Sequence, residues 1–376
     1  MFVICTNVTC CRGNTKVSPF EGAHQRNLRS QAYPNQILLK GQLITRPLGK
    51  SGPHATPVGL ELMGASGMYH IPASDAERLT FLDARTRKVG PDIYGDSEDL
   101  LSKWFAANPS KRNDIFLATK SGNPKQDPAN LQGTRAINMT PDYCRDALEA
   151  SLKRLGVPYV DLYYIQRLDR VTPTEKTIEA MVQLKNEGKI KYLGLSECSA
   201  DPLRRAHAVH QISRVQMEYN PFSLNIESPK HRLLETVRGL GVAIVAYSPL
   251  GNGLLSGTLR STEDFTKPGD MRGGVPRFSD DSFRTNLAKI GEIAKAKGVT
   301  PAQLTLAWIL AQGEDFFVIP GATKVHQVAE NLGSLDIIVT PEEKKVIRQA
   351  SEKVVGGRFP EATMEYCFAD TPALEA

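Results

Sequence analysis

The chain has 376 residues, more than a typical domain of roughly 100–200, yet within reach of one large α/β barrel with appendages. Hydrophobic residues make up 41% and charged residues 23%, which fits a globular protein with a sizeable core and argues against disorder. The net charge is +5, but residues 1–60 hold seven Lys or Arg against the single acid Glu21, so the rest of the chain is close to neutral. That excludes a nucleic-acid binder, which would carry its positive charge as a patch on the folded body.

Residues 1–40 show no helical or strand period and no secretory signal, and are expected to form a disordered extension. The six cysteines are scattered without CxxC spacing, which points to a reduced, cytoplasmic protein. Cys10 and Cys11 are adjacent, but no further ligands stand near enough to complete a metal site. No apolar run approaches the roughly 20 residues of a membrane span. The longest, Val242 to Tyr247, has the length of a buried strand.

From about Pro57 onward, strand-like runs alternate with helical patterns. Asp114 to Thr119 is an apolar strand. Thr140 to Leu155 is a helix, with Thr140 as N-cap, Pro141 at the first position and apolar residues at Ala147, Leu148, Leu152 and Leu155. Strands follow at Asp161–Ile165, Lys191–Leu195, Arg214–Tyr219, Val242–Tyr247 and Phe316–Ile319. Helices lie at Thr174–Asn186, around Pro202–His210 and Lys230–Gly239, and at Pro301–Ala311 and Val325–Leu332. Strands regularly followed by helices predict a parallel sheet, and the repeated spacing suits a closed (β/α)8 TIM barrel spanning residues 41–340. Residues 341–376 read as a C-terminal tail or substrate loop, and Gly251–Phe283 as a second long loop.

In such a barrel the chemistry sits at the C-terminal ends of the strands. Tyr94 precedes a helix, and Lys120 ends an apolar strand. A tyrosine can protonate a carbonyl if a neighbouring cation lowers its pKa from about 10, and Lys120 is a candidate for that cation. Taken singly, Tyr94 also fits a half-buried rim tyrosine, and Lys120 a lysine snorkelling to water.

Seven segments occur in order: Asp92–Glu98, Leu117–Lys120, Asp161–Arg167, Ile190–Glu197, Val215–Asn220, Ala246–Gly251 and Ile319–Lys324. Together they resemble the aldo-keto reductase superfamily, especially its fungal and plant branches of pyridoxal-reductase-like and auxin-induced-type enzymes. The likeness covers about residues 43–360. It implies a (β/α)8 barrel that uses NADP to reduce a small carbonyl compound, with Tyr94 as proton donor and Lys120 beside it. It implies no metal and a place in fungal secondary metabolism; charge and hydropathy already argue against a nucleic-acid or membrane partner.

Two catalytic positions depart from the family. Its histidine falls at Gln166, which can still donate an amide hydrogen bond but cannot relay a proton. Its aspartate falls at Val89, in a segment that also looks about five residues short. The second barrel strand is therefore damaged: Arg85, Arg87 and Lys88 stand where apolar residues should run, and Pro91 cannot donate to a ladder. Without a carboxylate, a buried Lys120 faces a desolvation penalty that tends to neutralise it, unless Asp92 substitutes.

The resemblance assigns the cofactor side more completely. Ser196 and Gln216 match contacts to the carboxamide, and Tyr247 matches the aromatic that stacks on nicotinamide. Ser248, Pro249, Leu250, Gly251 and Gly253 match the loop over the pyrophosphate. Gly321, Ala322, Thr323, Gln327 and Asn331 match the adenosine-phosphate site at a helix N-terminus. A family arginine falls at Gln327; Lys324 either compensates or is a solvated charge. The expected function is an NADP-dependent carbonyl reductase. Its rivals are a degenerate cofactor-binding protein without turnover and an error in the gene model around residues 84–92.

Overall fold

The computed structural model describes residues 2–5, 44–50, 52–61, 74–84, 96–122, 137–257, 270–278 and 282–375. Val89, Asp92 and Tyr94 lie outside them. In chain order, β1 (Phe2–Cys5), β2 (Arg46–Pro47), β3 (His54–Ala55) and β4 (Leu60–Glu61) precede α1 (Asp75–Ala84) and α2 (Ser97–Ala107). Alternation of strand and helix then begins with β5 (Ile115–Ser121), α3 (Pro141–Leu155), β6 (Val160–Ile165), α4 (Thr174–Asn186), β7 (Ile190–Ser196) and α5 (Ala200–Val209), broken only by a pair of helices before the last strand. It continues through β8 (Arg214–Glu218), α6 (Leu233–Leu240), β9 (Ala243–Tyr247), α7 (Ser282–Lys297), α8 (Pro301–Leu310), β10 (Phe316–Val318) and α9 (Val325–Gly333). Two helices, α10 (Pro341–Ser351) and α11 (Glu361–Met364), follow.

Local chemistry explains the helix ends. Thr140 accepts the Tyr143 N–H, Pro141 supplies a preset φ, and Gly156 closes α3 at φ +65°. The inward residues Leu148 and Leu155 are fully buried, each worth about 1.5–3 kcal/mol of transfer free energy. The expected tail after residue 340 opens instead as α10, started by a reciprocal capping box between Thr340 and Glu343.

The sheet order is β10-β9-β8-β7-β6-β5-β1-β4, and β5 to β10 are all parallel. The two ends meet. Gly59 N–H donates to Val318 O at 2.8 Å, Val318 N–H to Pro57 O at 2.8 Å and Glu61 N–H to Pro320 O at 3.2 Å. Parallel bridges Val58–Val318 and Glu61–Gly321 complete the closure. Eight strands therefore form a closed (β/α)8-type barrel, which removes the exposed edges an open sheet would leave.

One strand arrives by an unexpected route. Between β4 and β5, where the second barrel strand is expected, β1 runs antiparallel, with Val3 opposite both Leu60 and Leu117. The expectation that residues 1–40 are disordered thus does not hold for Phe2–Cys5; residues 6–43 lie outside the described set.

The core has two layers. Helices pack on the outside of the strands, whereas Phe116, Ala118, Leu162, Tyr164, Val245 and Phe317 fill the interior. Gly194 is required there, because a Cβ would meet the Tyr164 ring at 2.5 Å. The β2–β3 hairpin closes the floor with Leu48 and Ala55, and Arg46 Nη1 donates to the carbonyls of Leu310, Gly313 and Phe316.

Candidate active site

Strand alternation sorts the rim residues. On β5, Thr119 faces outward and its hydroxyl donates to Glu98 at 3.4 Å, while Lys120 turns inward and is 4% exposed. Lys120 Nζ lies 3.8 Å from Glu61 Oε1. The sequence offered only Asp92 as a carboxylate for this lysine, and Asp92 lies outside the described residues; β4 supplies Glu61. Gln166 follows β6, part-exposed, with its N–H donating to Ser121 O at 2.8 Å, so it stands beside the end of β5.

Ser196 and Gln216 are buried neighbours in register on β7 and β8. Gln216 Nε2 is buried and has no hydrogen-bond partner among the described residues. A buried amide donor left open is costly in isolation, and it suits a ligand carbonyl. Tyr247, at the end of β9, is part-exposed, and its hydroxyl donates to Glu197 Oε1 at 2.9 Å. Burial first, and then the Glu197 charge, pushes the Tyr247 phenol upward.

The loop after β9 is shaped by its own bonds. Ser248, Gly251, Asn252 and Gly253 all have positive φ. Asn220 Nδ2 donates to Ser248 O at 2.8 Å, and Gly251 N–H donates to the same oxygen at 2.9 Å. A Cβ on Gly251 would meet the Phe222 ring at 2.9 Å, so Pro249-Leu250-Gly251 keeps its course only with glycine there. Backbone turned this way can present N–H groups to an anion.

At the start of α9, Gln327 Oε1 accepts the N–H groups of Thr323 and Lys324 at 2.9 and 3.1 Å. Gln327 thus occupies two of the donors expected to meet a phosphate. Ala322 and Asn331 are buried, and Gly321 is exposed, with only Glu61 O near a notional Cβ, at 3.8 Å. The residues matched to a dinucleotide therefore gather along one side of the rim, from β7 round to α9. The open Gln216 amide, the turned loop and the accessible Gly321 backbone fit such a group.

A second cluster adjoins Tyr247. Glu197 is fully buried at φ +53°. Arg358 donates to both its oxygens, and Arg167 Nη1 lies 3.2 Å from Oε2. Burial raises the Glu197 carboxyl, but Arg358 and Arg167 outweigh it and hold it at about 2. Glu218 pairs with Arg277 at 3.0 Å and with Arg358 at 3.7 Å. Arg277 N–H also donates to Gly357 O at 3.3 Å, joining the loop after β9 to the C-terminal segment.

Sequence reasoning placed Glu197 only at the end of a matched segment and missed Glu61, Glu218, Arg277 and Arg358. Glu61 had a signal: a lone carboxylate within the apolar run Val58-Gly59-Leu60-Glu61-Leu62. The arginines had none, since their partners are remote in the chain. Among the described residues, no group of His, Cys, Asp and Glu could hold a metal, and no helix is long and apolar enough to cross a membrane.

A sequence model of the Aldo/keto reductase family matches residues 91–352. The chain is 47% identical over 327 residues to the aldo-keto reductase str7 of Strobilurus tenacellus, covering 84% of this chain and 94% of that protein. It is 40% identical over 340 residues to yakc of Schizosaccharomyces pombe, named an NADP(+) aldo-keto reductase, covering 87% and 98%. Among solved structures, it matches the thermostable aldo-keto reductase Tm1743, crystallised with the inhibitor epalrestat. That match has TM-score 0.63 and 28% identity over 82% of this chain and 100% of that one.

Proposed function

The chain belongs to the aldo-keto reductase family, and on that premise we propose that it is an NADP-dependent reductase converting an aldehyde or ketone to an alcohol. The observation that carries the reading is the rim itself: a buried, charge-paired Lys120 on one side and the open Gln216 amide beside a turned loop on the other. Relatives of fungal origin, one of them named for NADP(+), support the cofactor and a fungal setting. A role in secondary metabolism is the finer part of the proposal.

Ser196 and Gln216 would hold the carboxamide and Tyr247 the ring. The loop Ser248–Gly253 would hold the pyrophosphate, and Gly321, Ala322, Thr323, Gln327 and Asn331 the adenosine phosphate. When bound, the reduced nicotinamide supplies a hydride. Gln166 donates an amide hydrogen bond that orients the substrate carbonyl. Tyr94 would deliver to the carbonyl oxygen the proton that completes the alcohol. The Lys120 charge favours the tyrosinate left behind, which recovers its proton from solvent.

Loss of reduced-nicotinamide absorbance with a generic aromatic aldehyde tests this. Turnover with NADPH that vanishes in Tyr94→Phe and Lys120→Met is expected. A chain that quenches on binding NADPH yet reduces no aldehyde would favour the non-catalytic rival. The Glu61 carboxylate 3.8 Å from Lys120 weighs against that rival.

A further inference from the structure

We propose that Glu61 is the positioning residue for Lys120: it supplies, from β4, the negative charge that pairs with this buried ammonium inside the barrel. The proposal rests on the reductase reading for its catalytic consequence, while the pairing stands on geometry alone.

Lys120 is 4% exposed and Glu61 8% exposed, so neither charge is well hydrated. A buried ammonium without a counter-charge is costly, so a carboxylate at ion-pair distance lowers the cost of holding Lys120 inside the barrel. Among the described residues, Glu61 brings its carboxylate within ion-pair distance of Lys120, at 3.8 Å.

The position of Glu61 is fixed by backbone on both sides. Its N–H donates to Pro320 O at 3.2 Å, and it bridges to Gly321. On the other side it lies opposite Phe2 of β1, which also faces Ala118 of β5. Glu61 and Lys120 thus stand on strands two apart, roughly 10 Å between strand axes at the usual spacing of about 4.8 Å. Only long side chains reaching through the barrel interior can meet across that span. A glutamate and a lysine do; an aspartate would fall one methylene short.

The same strand carries the backbone that adjoins Gly321, so Glu61 links the catalytic lysine to the wall of the dinucleotide side. Its carboxylate is nonetheless directed to the ammonium. Loss of the charge should therefore reduce turnover while leaving dinucleotide binding in place.

Glu61→Gln, Glu61→Asp, Lys120→Met and the Glu61→Gln/Lys120→Met double variant test the proposal, read by kcat, KM, NADPH fluorescence titration and melting temperature. Glu61→Gln should lower kcat by about 10²-fold, the lower range of a general-acid contribution, with KM and NADPH affinity little changed. Glu61→Asp should retain more of the rate than Glu61→Gln, because charge survives although reach is lost. Glu61→Gln should also lower the melting temperature, and adding Lys120→Met should recover it. Wild-type kcat in Glu61→Gln, or a melting temperature that the second substitution lowers further, would overturn the proposal. If wild type reduces no carbonyl, the reductase reading falls, and the melting cycle still decides the pair: recovery upholds it and additive loss refutes it. If Glu61→Gln does not fold, recovery of folding in the double variant upholds the pair, and failure of both variants to fold refutes it.

Discussion

Arg358 grips Glu197 through both carboxylate oxygens, Nη1 to Oε1 at 2.8 Å and Nη2 to Oε2 at 2.7 Å. The two residues are far apart in the chain, and their pairing draws the C-terminal segment over the end of β7. The same segment adds Ala369 N–H to Glu197 O at 3.1 Å and Ser199 N–H to Ala369 O at 3.0 Å. Glu197 also holds the Tyr247 hydroxyl, so one buried carboxylate ties the tail to the face expected to carry nicotinamide.

Arg358→Met should therefore destabilise the fold. Breaking one partner of a buried pair typically costs 3–5 kcal/mol, and because Arg167 remains near Glu197 a loss of about 3 kcal/mol is expected. Denaturant titration measures it. The pH dependence has a defined sign. Glu197 is held at about 2, below the ordinary 4.5. Its contribution is present above about 4.5 and is lost as pH falls toward about 2. Glu197→Gln should flatten the fall in melting temperature across that window; an unchanged acid limb would contradict the pairing.

Arg214 has the opposite character. It is fully buried in the barrel, its guanidinium 4.2 Å from the Phe116 ring centroid, and none of its three nitrogens makes a hydrogen bond among the described residues. Burial lowers it to about 10, despite the Tyr164 phenol beside it. Arg214→Met keeps much of the volume and removes the desolvated charge. By analogy with the apolar replacement of buried ion groups, it should raise stability by about 1–4 kcal/mol. Urea unfolding decides the sign, and a loss of stability would show that the charge is compensated.

Val3 sits in the ladder between β4 and β5, opposite Leu60 on one side and Leu117 on the other. Val3→Pro removes an N–H from a strand paired on both sides, which a central strand does not tolerate. The melting temperature should fall by several degrees, and a chain beginning at residue 44 should show at least the same loss. Equal melting temperatures would mean that the barrel closes without β1.

NADPH should bind more tightly than NADH, although Gln327 stands where an arginine is expected and takes up the Thr323 and Lys324 N–H groups. Gln327→Arg frees both donors and adds a charge suited to phosphate. It should widen the preference in parallel fluorescence titrations. Equal affinities in the wild type, or an unchanged ratio in the variant, would refute this account of the site.

The short-range features were legible because their causes are local. Thr140 and Pro141 begin α3 and Gly156 ends it within one turn, and the apolar runs of β5, β6 and β9 need only their own composition to declare a buried strand. The capping box of Thr340 and Glu343 is equally local, and the expectation of a tail after residue 340 passed over it. Lys120, Gln166, Ser196, Gln216 and Tyr247 could be placed at strand ends because parallel strands in a barrel present their C-terminal ends to one rim. What surrounds them depended on closure. Glu61 reaches Lys120 only because β4 seals against β10 and the interior narrows to the span of two side chains. Arg358 reaches Glu197 only because the tail folds back over β7. Phe2–Cys5 enters the sheet because the gap between β4 and β5 leaves backbone donors and acceptors unpaired, and such groups take whatever strand can satisfy them. Periodicity records which face of an element is apolar; it holds no record of which distant charge will be brought within ion-pair distance when the barrel closes.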